Sequence, residues 1–349
     1  MKIKRNKIKT LLACTAILLV TVLVLGALQE LVMPKYMTVS REGALIAEYY
    51  SEQTTHDVLF IGDCEVYEGF TPPTLWEEYG ITSYIRGSAQ QLAWHSYYLL
   101  EEALTYETPK VVVYNVLALK YGEPQDEAYN RLTLDGMRRS SIKWQAVRAS
   151  MTEDESFASY LFPLLRFHSR IKELTREDLT YFGHRDVVSH NGYLMQTEVR
   201  GGKAEITPSP LADYTLPATS MAYLERIRAL CEEKGVELIL IKAPTNDWKY
   251  HWYDEWDAQI CDYADQNGLS YYNFIPLCDE IGIDWSQDTY DVGVHLNVYG
   301  AEKLTAYFGK LLVENHGIKG HDDPLLSAVW QEKLDRYYAE KNAGMTIAE

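Results

Sequence analysis

With 349 residues, 47% of them apolar, the chain can bury a full core in one large domain or two smaller ones. Its net charge is −17; Lys2, Lys4, Arg5, Lys7 and Lys9 place +5 in the first nine residues, so the remainder carries −22. So acidic a body excludes nucleic acid as a partner held through its phosphates, and an anionic polymer can approach only where local cations or metal ions intervene.

Residues 1–9 read as a basic cytoplasmic segment and 10–33 as a transmembrane signal-anchor helix. Leu11–Leu28 is an unbroken run of 18 uncharged residues, long enough to span a bilayer. The basic flank predicts a single-pass protein of the cell membrane, with its N-terminus cytoplasmic and its domain extracytoplasmic. A cleaved signal peptide fits less well, because the run is long and "GALQE" is a poor cleavage site. "LLAC" at Leu11–Cys14 is not a lipoprotein box, since the apolar run follows the cysteine. Residues 34–55 read as a stalk, with helical spacing in "REGALIAEYYSEQ".

An alternation of strands and helices begins at Asp57. "DVLFIGD" (57–63), "ITSYIRGS" (81–88) and "KVVVYNVL" (110–117) are short apolar runs of the kind that form buried parallel strands, and helix 92–106 separates the second from the third. Residues 118–219 hold no strong strand and read as a helical insertion or lid. The alternation resumes with helix 220–235, strand "VELILIKAP" (236–244), helix 255–268, strand "LSYYNFIP" (269–276) and helix 299–315. Residues 317–349 form a helical tail. The expected fold is α/β: an open five-stranded parallel sheet in a flavodoxin-like three-layer α/β/α sandwich over residues 56–316.

Such sheets bind ligands beyond the C-terminal ends of their strands. Those ends carry Gly62-Asp63-Cys64, Gly87-Ser88, Asn115 and Lys242-Ala243-Pro244, and the loop before the last helix carries Asp291 and His295. Acyl transfer needs a nucleophile, a base and oxyanion donors. Cys64 opens a helix, where a thiol pKa is lowered and backbone N–H groups are free. His295 can take its proton and Asp291 can fix the imidazole tautomer. Gly87 admits a close backbone N–H, Asn115 offers its amide, and the Cys64 N–H completes the oxyanion hole. Asp63, Glu65, Trp248 and Trp252 are candidate substrate contacts; the aromatic loop 245–256 suits stacking on sugar rings. Cys231, Cys261 and Cys278 read as buried apolar fillers. His190 reads as a surface turn, and Arg131, Arg138 and Arg139 as partners of local acids or of an anionic substrate. No cofactor is called for, and no cluster has metal-ligand spacing.

"IGDCE", "RGS", "YNVL" and "DVGVHLNVYGAEKL" resemble blocks I, II, III and V of the SGNH (GDSL-type) hydrolases, across about 57–315. The nearest flavour is the membrane-anchored extracytoplasmic branch of the D-alanine transfer protein and the alginate O-acetylation proteins. The resemblance places Cys64 on the nucleophilic serine, Gly87 and Asn115 on the oxyanion hole, and Asp291 and His295 on the acid–base pair. Cysteine replaces serine, block III lacks the usual Gly before and Asp after Asn115, and Asp291 stands four residues before His295 rather than three, which keeps Asp288 as an alternative. It implies an acyl esterase or O-acyltransferase acting on small acyl groups of a cell-envelope glycan or polymer, beside a membrane-bound O-acyltransferase. The alternatives are a catalytically degenerate accessory to such an acyltransferase or glycan, and a thioesterase or peptidase using the same Cys–His pair.

Overall fold

The structure is a computed structural model that describes residues 2–34, 42–181, 187–203, 210–246 and 252–344. The chain divides into two compact units, one of residues 1–35 with 153–186 and one of 36–152 with 187–349.

The first unit is built on helix α1 (Lys2–Val32). Lys7–Val32 has a mean hydropathy of 2.8 and is long and apolar enough to cross a membrane. Its 26 residues rise about 39 Å, against a hydrocarbon core of roughly 30 Å. Short helical pieces at Phe157–Leu161, Leu164–Phe167, His168–Lys172 and Arg176–Thr180 complete the unit.

The second unit carries the sheet. Strand β1 (Val58–Gly62) leads into a single helical turn, α2 (Cys64–Tyr67), and then α3 (Pro72–Tyr79). β2 (Ser83–Gly87), α4 (Ala93–Ala103) and β3 (Val111–Asn115) follow. After the helical stretch come α5 (Ala218–Lys234), β4 (Glu237–Lys242), α6 (Asp254–Asn267), β5 (Ser270–Asn273), α7 (Val298–His316) and α8 (Pro324–Ala343). All four strand pairings are parallel, in the order β2-β1-β3-β4-β5. This is the doubly wound order whose switch point lies between β1 and β3. The expected α/β fold is therefore what the chain adopts.

Alternation in β1 explains its unbroken apolar run. Phe60, Val113 and Ile239 align in one row across the sheet and Tyr84, Leu59, Val112 and Leu238 in the next, so both faces are covered. Phe60 stacks on Phe70 at 4.9 Å, and Phe308 of α7 meets Phe70 edge-on at 5.6 Å. The tail helix α8 is fixed to α3 by Trp330 stacked on Trp76 at 5.2 Å.

Several local readings change. The described part of 34–55 packs on the sheet, with Tyr49 buried 5.1 Å from Tyr84 and 4.2 Å beneath the buried Arg86 guanidinium. The span 118–219 is not one body, since 153–186 belong to the first unit. Residues 189–195 join the core along β2: the Ile85 N–H donates to the Asn191 carbonyl, and Tyr193, Leu194 and Met195 are buried. His190 is buried there against Glu340, not on a surface turn. Cys261 is exposed and Cys278 half-buried, while Cys231 is the buried filler expected.

Gly192 makes the β2 contact possible. Its φ is +84°, and a Cβ would stand 2.0 Å from the Ile85 carbonyl oxygen. Gly192→Ala is expected to destabilise the protein by about 2–3 kcal/mol, read as a lower urea midpoint at unchanged slope.

Candidate active site

Cys64 stands at the first position of α2, directly beyond the C-terminal end of β1. The Asp63 carboxylate caps that turn by accepting the Glu65 N–H at 3.3 Å. The turn falls here because Val58–Gly62 is fully covered and the chain must leave the sheet at its edge. Gly62 lies opposite Gly87 in the ladder. A Cβ on Gly87 would meet the Gly62 carbonyl oxygen and the Tyr67 ring at 3.1 Å, so glycine there permits close seating of α2.

His295 comes to Cys64 from 231 residues away. Its Nε2 lies 3.0 Å from Sγ, and its Nδ1 lies 2.6 Å from Asp291 Oδ2. The other Asp291 oxygen accepts the His295 backbone N–H at 2.8 Å. The four-residue gap closes because Val292 and Gly293 both take positive φ, +68° and +94°. A β-branched residue in that region is strained. Thr289 stabilises the bend by accepting the Gly293 N–H at 2.9 Å and donating to Asp291 at 3.2 Å. Asp288 plays no part; its carboxylate is buried on the Lys303 ammonium at 2.5 Å and the Asp284 N–H at 2.7 Å.

A second layer lies beneath. Lys242, fully buried at the end of β4, donates to both Glu65 oxygens at 2.8 Å and to the Ala243 carbonyl at 2.7 Å. The Asn115 amide donates to Asp63 at 3.1 Å and Glu65 at 3.0 Å, and its oxygen accepts the Ala243 N–H at 3.3 Å. Both hydrogens of that amide are thus spent on carboxylates, and Asn115 has none left for an oxyanion. Asp63 and Glu65 are themselves buried, at 6% and 5% exposure, so they brace the turn and do not face a substrate.

The electrostatics are acidic. Burial pushes the Cys64 thiol up to about 11; His295 pulls the other way, and Asp63 and Glu68 add to the rise. Burial opposes charge on His295, but Cys64, Glu68 and Asp291 outweigh it and hold the imidazole well above its ordinary value. Glu68, one helical turn after Cys64, sits 3.9 Å from the imidazole and accepts the Tyr290 hydroxyl at 2.8 Å. Tyr290 stacks over the imidazole at 6.1 Å. Burial works to raise Asp291 too, yet its hydrogen bonds to His295 keep it below the usual carboxylate range. A sulfur, imidazole and carboxylate in this chain of contacts can shuttle one proton between nucleophile and leaving group.

Beside the His295 loop lies a cavity of about 400 Å³ at the ends of β4 and β5. Thr245 and Asn246 in its wall both donate to the Gly293 carbonyl, at 3.2 and 2.8 Å. Trp252 borders it but is 1% exposed, its indole N–H donating to Asp257 at 3.2 Å, so it is a wall and not an open platform. Trp285, half-buried, is the second indole there. Trp248 lies outside the described residues. Sequence reasoning gave no role to Lys242, Glu68, Tyr290 or Trp285; the signals available were a lysine closing an apolar strand and an acid four residues after the candidate nucleophile. Among the described residues no group of His, Cys, Asp and Glu could hold a metal ion.

No family profile and no curated protein matches the chain. A solved structure described as a "putative acylhydrolase" from Bacteroides fragilis aligns with 77% of this chain and 94% of its own at 11% identity and a TM-score of 0.37, a likeness too distant to carry an argument.

Burial and the neighbouring Glu65 charge raise Asp63 to about 6. An unfolded aspartate loses its proton near 4. Between those values the folded state binds more protons, so stability falls as pH rises through the window, and the cost is complete above it. Asp63→Asn keeps the cap and the acceptor for Asn115. It is expected to stabilise by on the order of 2 kcal/mol at about pH 8 and by little at about pH 4, read from denaturant midpoints at both.

Proposed function

We propose that the chain is an SGNH-like acyl esterase or O-acyltransferase that works outside the cytoplasm on small acyl groups of a cell-envelope glycan or polymer. The observation that carries this reading is the contact series Asp291–His295–Cys64, at 2.6 and 3.0 Å, at the C-terminal edge of a doubly wound sheet. In the proposed reaction Sγ attacks the carbonyl carbon of an acyl donor while its proton passes to Nε2 of His295. The leaving oxygen takes that proton as a thioester forms on Cys64. Water or a sugar hydroxyl then attacks the thioester, gives its proton to His295, and frees the thiol. The Cys64 and Gly87 N–H groups would hold the oxyanion. The cavity whose wall residues Thr245 and Asn246 are bonded to the His295 loop would offer the acceptor mixed aromatic and polar walls. α1 would carry the domain beyond the membrane, with the N-terminus cytoplasmic, next to a membrane-bound O-acyltransferase that supplies the acyl group.

Neutral His295 is the form that accepts a proton. The acids around it hold its own proton on, so the competent fraction grows as pH rises through the raised value.

A second reading, a non-catalytic accessory on the same scaffold, is favoured by the saturated Asn115 amide. Intact-protein mass spectrometry after exposure to an aryl acetate separates the two. The enzyme gains one acetyl on Cys64, and Cys64→Ala abolishes both the adduct and the turnover. An unmodified Cys64, with the protein still required for polymer acylation in cells, favours the accessory. His295→Ala is expected to slow turnover by about 10²–10⁴-fold. The pH–rate profile is expected to climb on the alkaline side of neutrality, and Glu68→Gln, which removes one of the charges holding the proton, moves that limb to lower pH. A limb that does not move refutes the assignment of Glu68.

A further inference from the structure

The first unit contains a feature that the acyl-transfer reading does not use. α1 is bare along most of its length: Leu11, Leu18 and Leu23 are 63–67% exposed and Leu25 is 47% exposed. Its last turn differs. Gln29 is 8% and Val32 0% exposed. The Arg170 guanidinium donates to the Val32 and Met33 carbonyls at 2.9 and 2.6 Å, closing the helix end, and also pairs with Asp178 at 3.2 Å. The helical pieces Leu164–Phe167 and His168–Lys172 therefore pack against α1 near the point where it stops being bare, and with their neighbours make a collar on one side of it.

The collar is apolar and basic at its surface. Phe162, Leu165, Ile171 and Leu179 are 49–61% exposed. Residues 157–180 carry Arg166, Arg170, Lys172 and Arg176 against Glu173, Glu177 and Asp178, a small positive excess in a chain whose remainder beyond the first nine residues is strongly acidic, and Arg170 and Asp178 pair with each other. Exposed large apolar side chains among cations are what an interfacial segment needs: the apolar groups enter the acyl boundary and the cations meet headgroup phosphates. A helix that is apolar all round and exposed is a lipid-facing one, and its end fixes the depth of whatever is bonded to it.

We propose that residues 157–180 form an interfacial collar that lies in the membrane surface at the C-terminal end of α1 and binds anionic phospholipid headgroups. The chain then meets the lipid twice, once by the spanning helix and once by a lateral foot that Arg170 locks to it.

The test uses the full-length protein in vesicles of phosphatidylcholine alone and of phosphatidylcholine mixed with phosphatidylglycerol. A photoreactive benzoylphenylalanine replaces Leu165 or, separately, Phe162, and Leu18 as the reference inside the span. Lipid adducts are expected at all three positions. Those at 165 and 162 rise several-fold with phosphatidylglycerol, and the triple change Arg166→Gln, Lys172→Gln, Arg176→Gln removes that rise. A strong adduct at Leu18 with none at Leu165 or Phe162 overturns the proposal, as does an adduct that ignores both lipid charge and the triple change. Because the readout is lipid attachment, the result is independent of whether Cys64 is a nucleophile.

Discussion

The Lys242–Glu65 ion pair is the constraint on which the site rests. An ammonium with no solvent exposure and a carboxylate at 5% face each other at 2.8 Å, each taken from a different strand end. Neither charge is tolerable alone in such a place, because removing one partner leaves the other desolvated and uncompensated. The pair therefore forms as a unit or the sheet edge does not close. Glu65 is the residue after Cys64, so fixing its side chain fixes the turn on which the sulfur stands. Asn115 completes the bracing by bonding Asp63 and Glu65 on either side of Cys64 and the Ala243 N–H just past β4. Three neighbouring strands thus determine where one thiol points.

The same bracing sets the chemistry. Asp63 and Glu68 act on the sulfur, with Lys242 committed to Glu65 and His295 shared between Asp291 and Cys64. A thiolate is discouraged in such company and an imidazolium is favoured. Sites that keep a resting thiolate place it near cations or a helix N-terminus. Here the one-turn helix supplies an N-terminus, but Asp63 occupies its cap. At rest the sulfur is held protonated, as a serine hydroxyl would be, with the imidazole of His295 3.0 Å away.

The strands were legible because β1 and β3 are covered on both faces and so read as unbroken apolar runs. The strand ends were legible as well, since parallel topology sends them all to one edge; Cys64 and Asn115 were read that way, and Asp291 and His295 from the loop before the last sheet-covering helix. What escaped the sequence was pairing at long range. Nothing local joins Lys242 to a glutamate 177 residues earlier, or shows that this bond and its neighbours would consume the Asn115 amide. The positive φ of Val292 is also invisible in a sequence, because a valine gives no warning of it, and that bend brings Asp291 onto the His295 imidazole across a four-residue spacing. Residues 189–195 look polar and loop-like as "SHNG", yet their backbone satisfies the outer edge of β2, a role fixed by geometry and not by composition.

The tether of the His295 loop has a mechanical corollary. The Gly293 carbonyl takes one hydrogen bond from the Thr245 hydroxyl and one from the Asn246 N–H, and those two residues are also masonry of the neighbouring hollow. The imidazole is thus hung from the wall of the chamber beside it. Two hydrogen bonds to one carbonyl are therefore all that separates the masonry of that chamber from the backbone that carries the histidine.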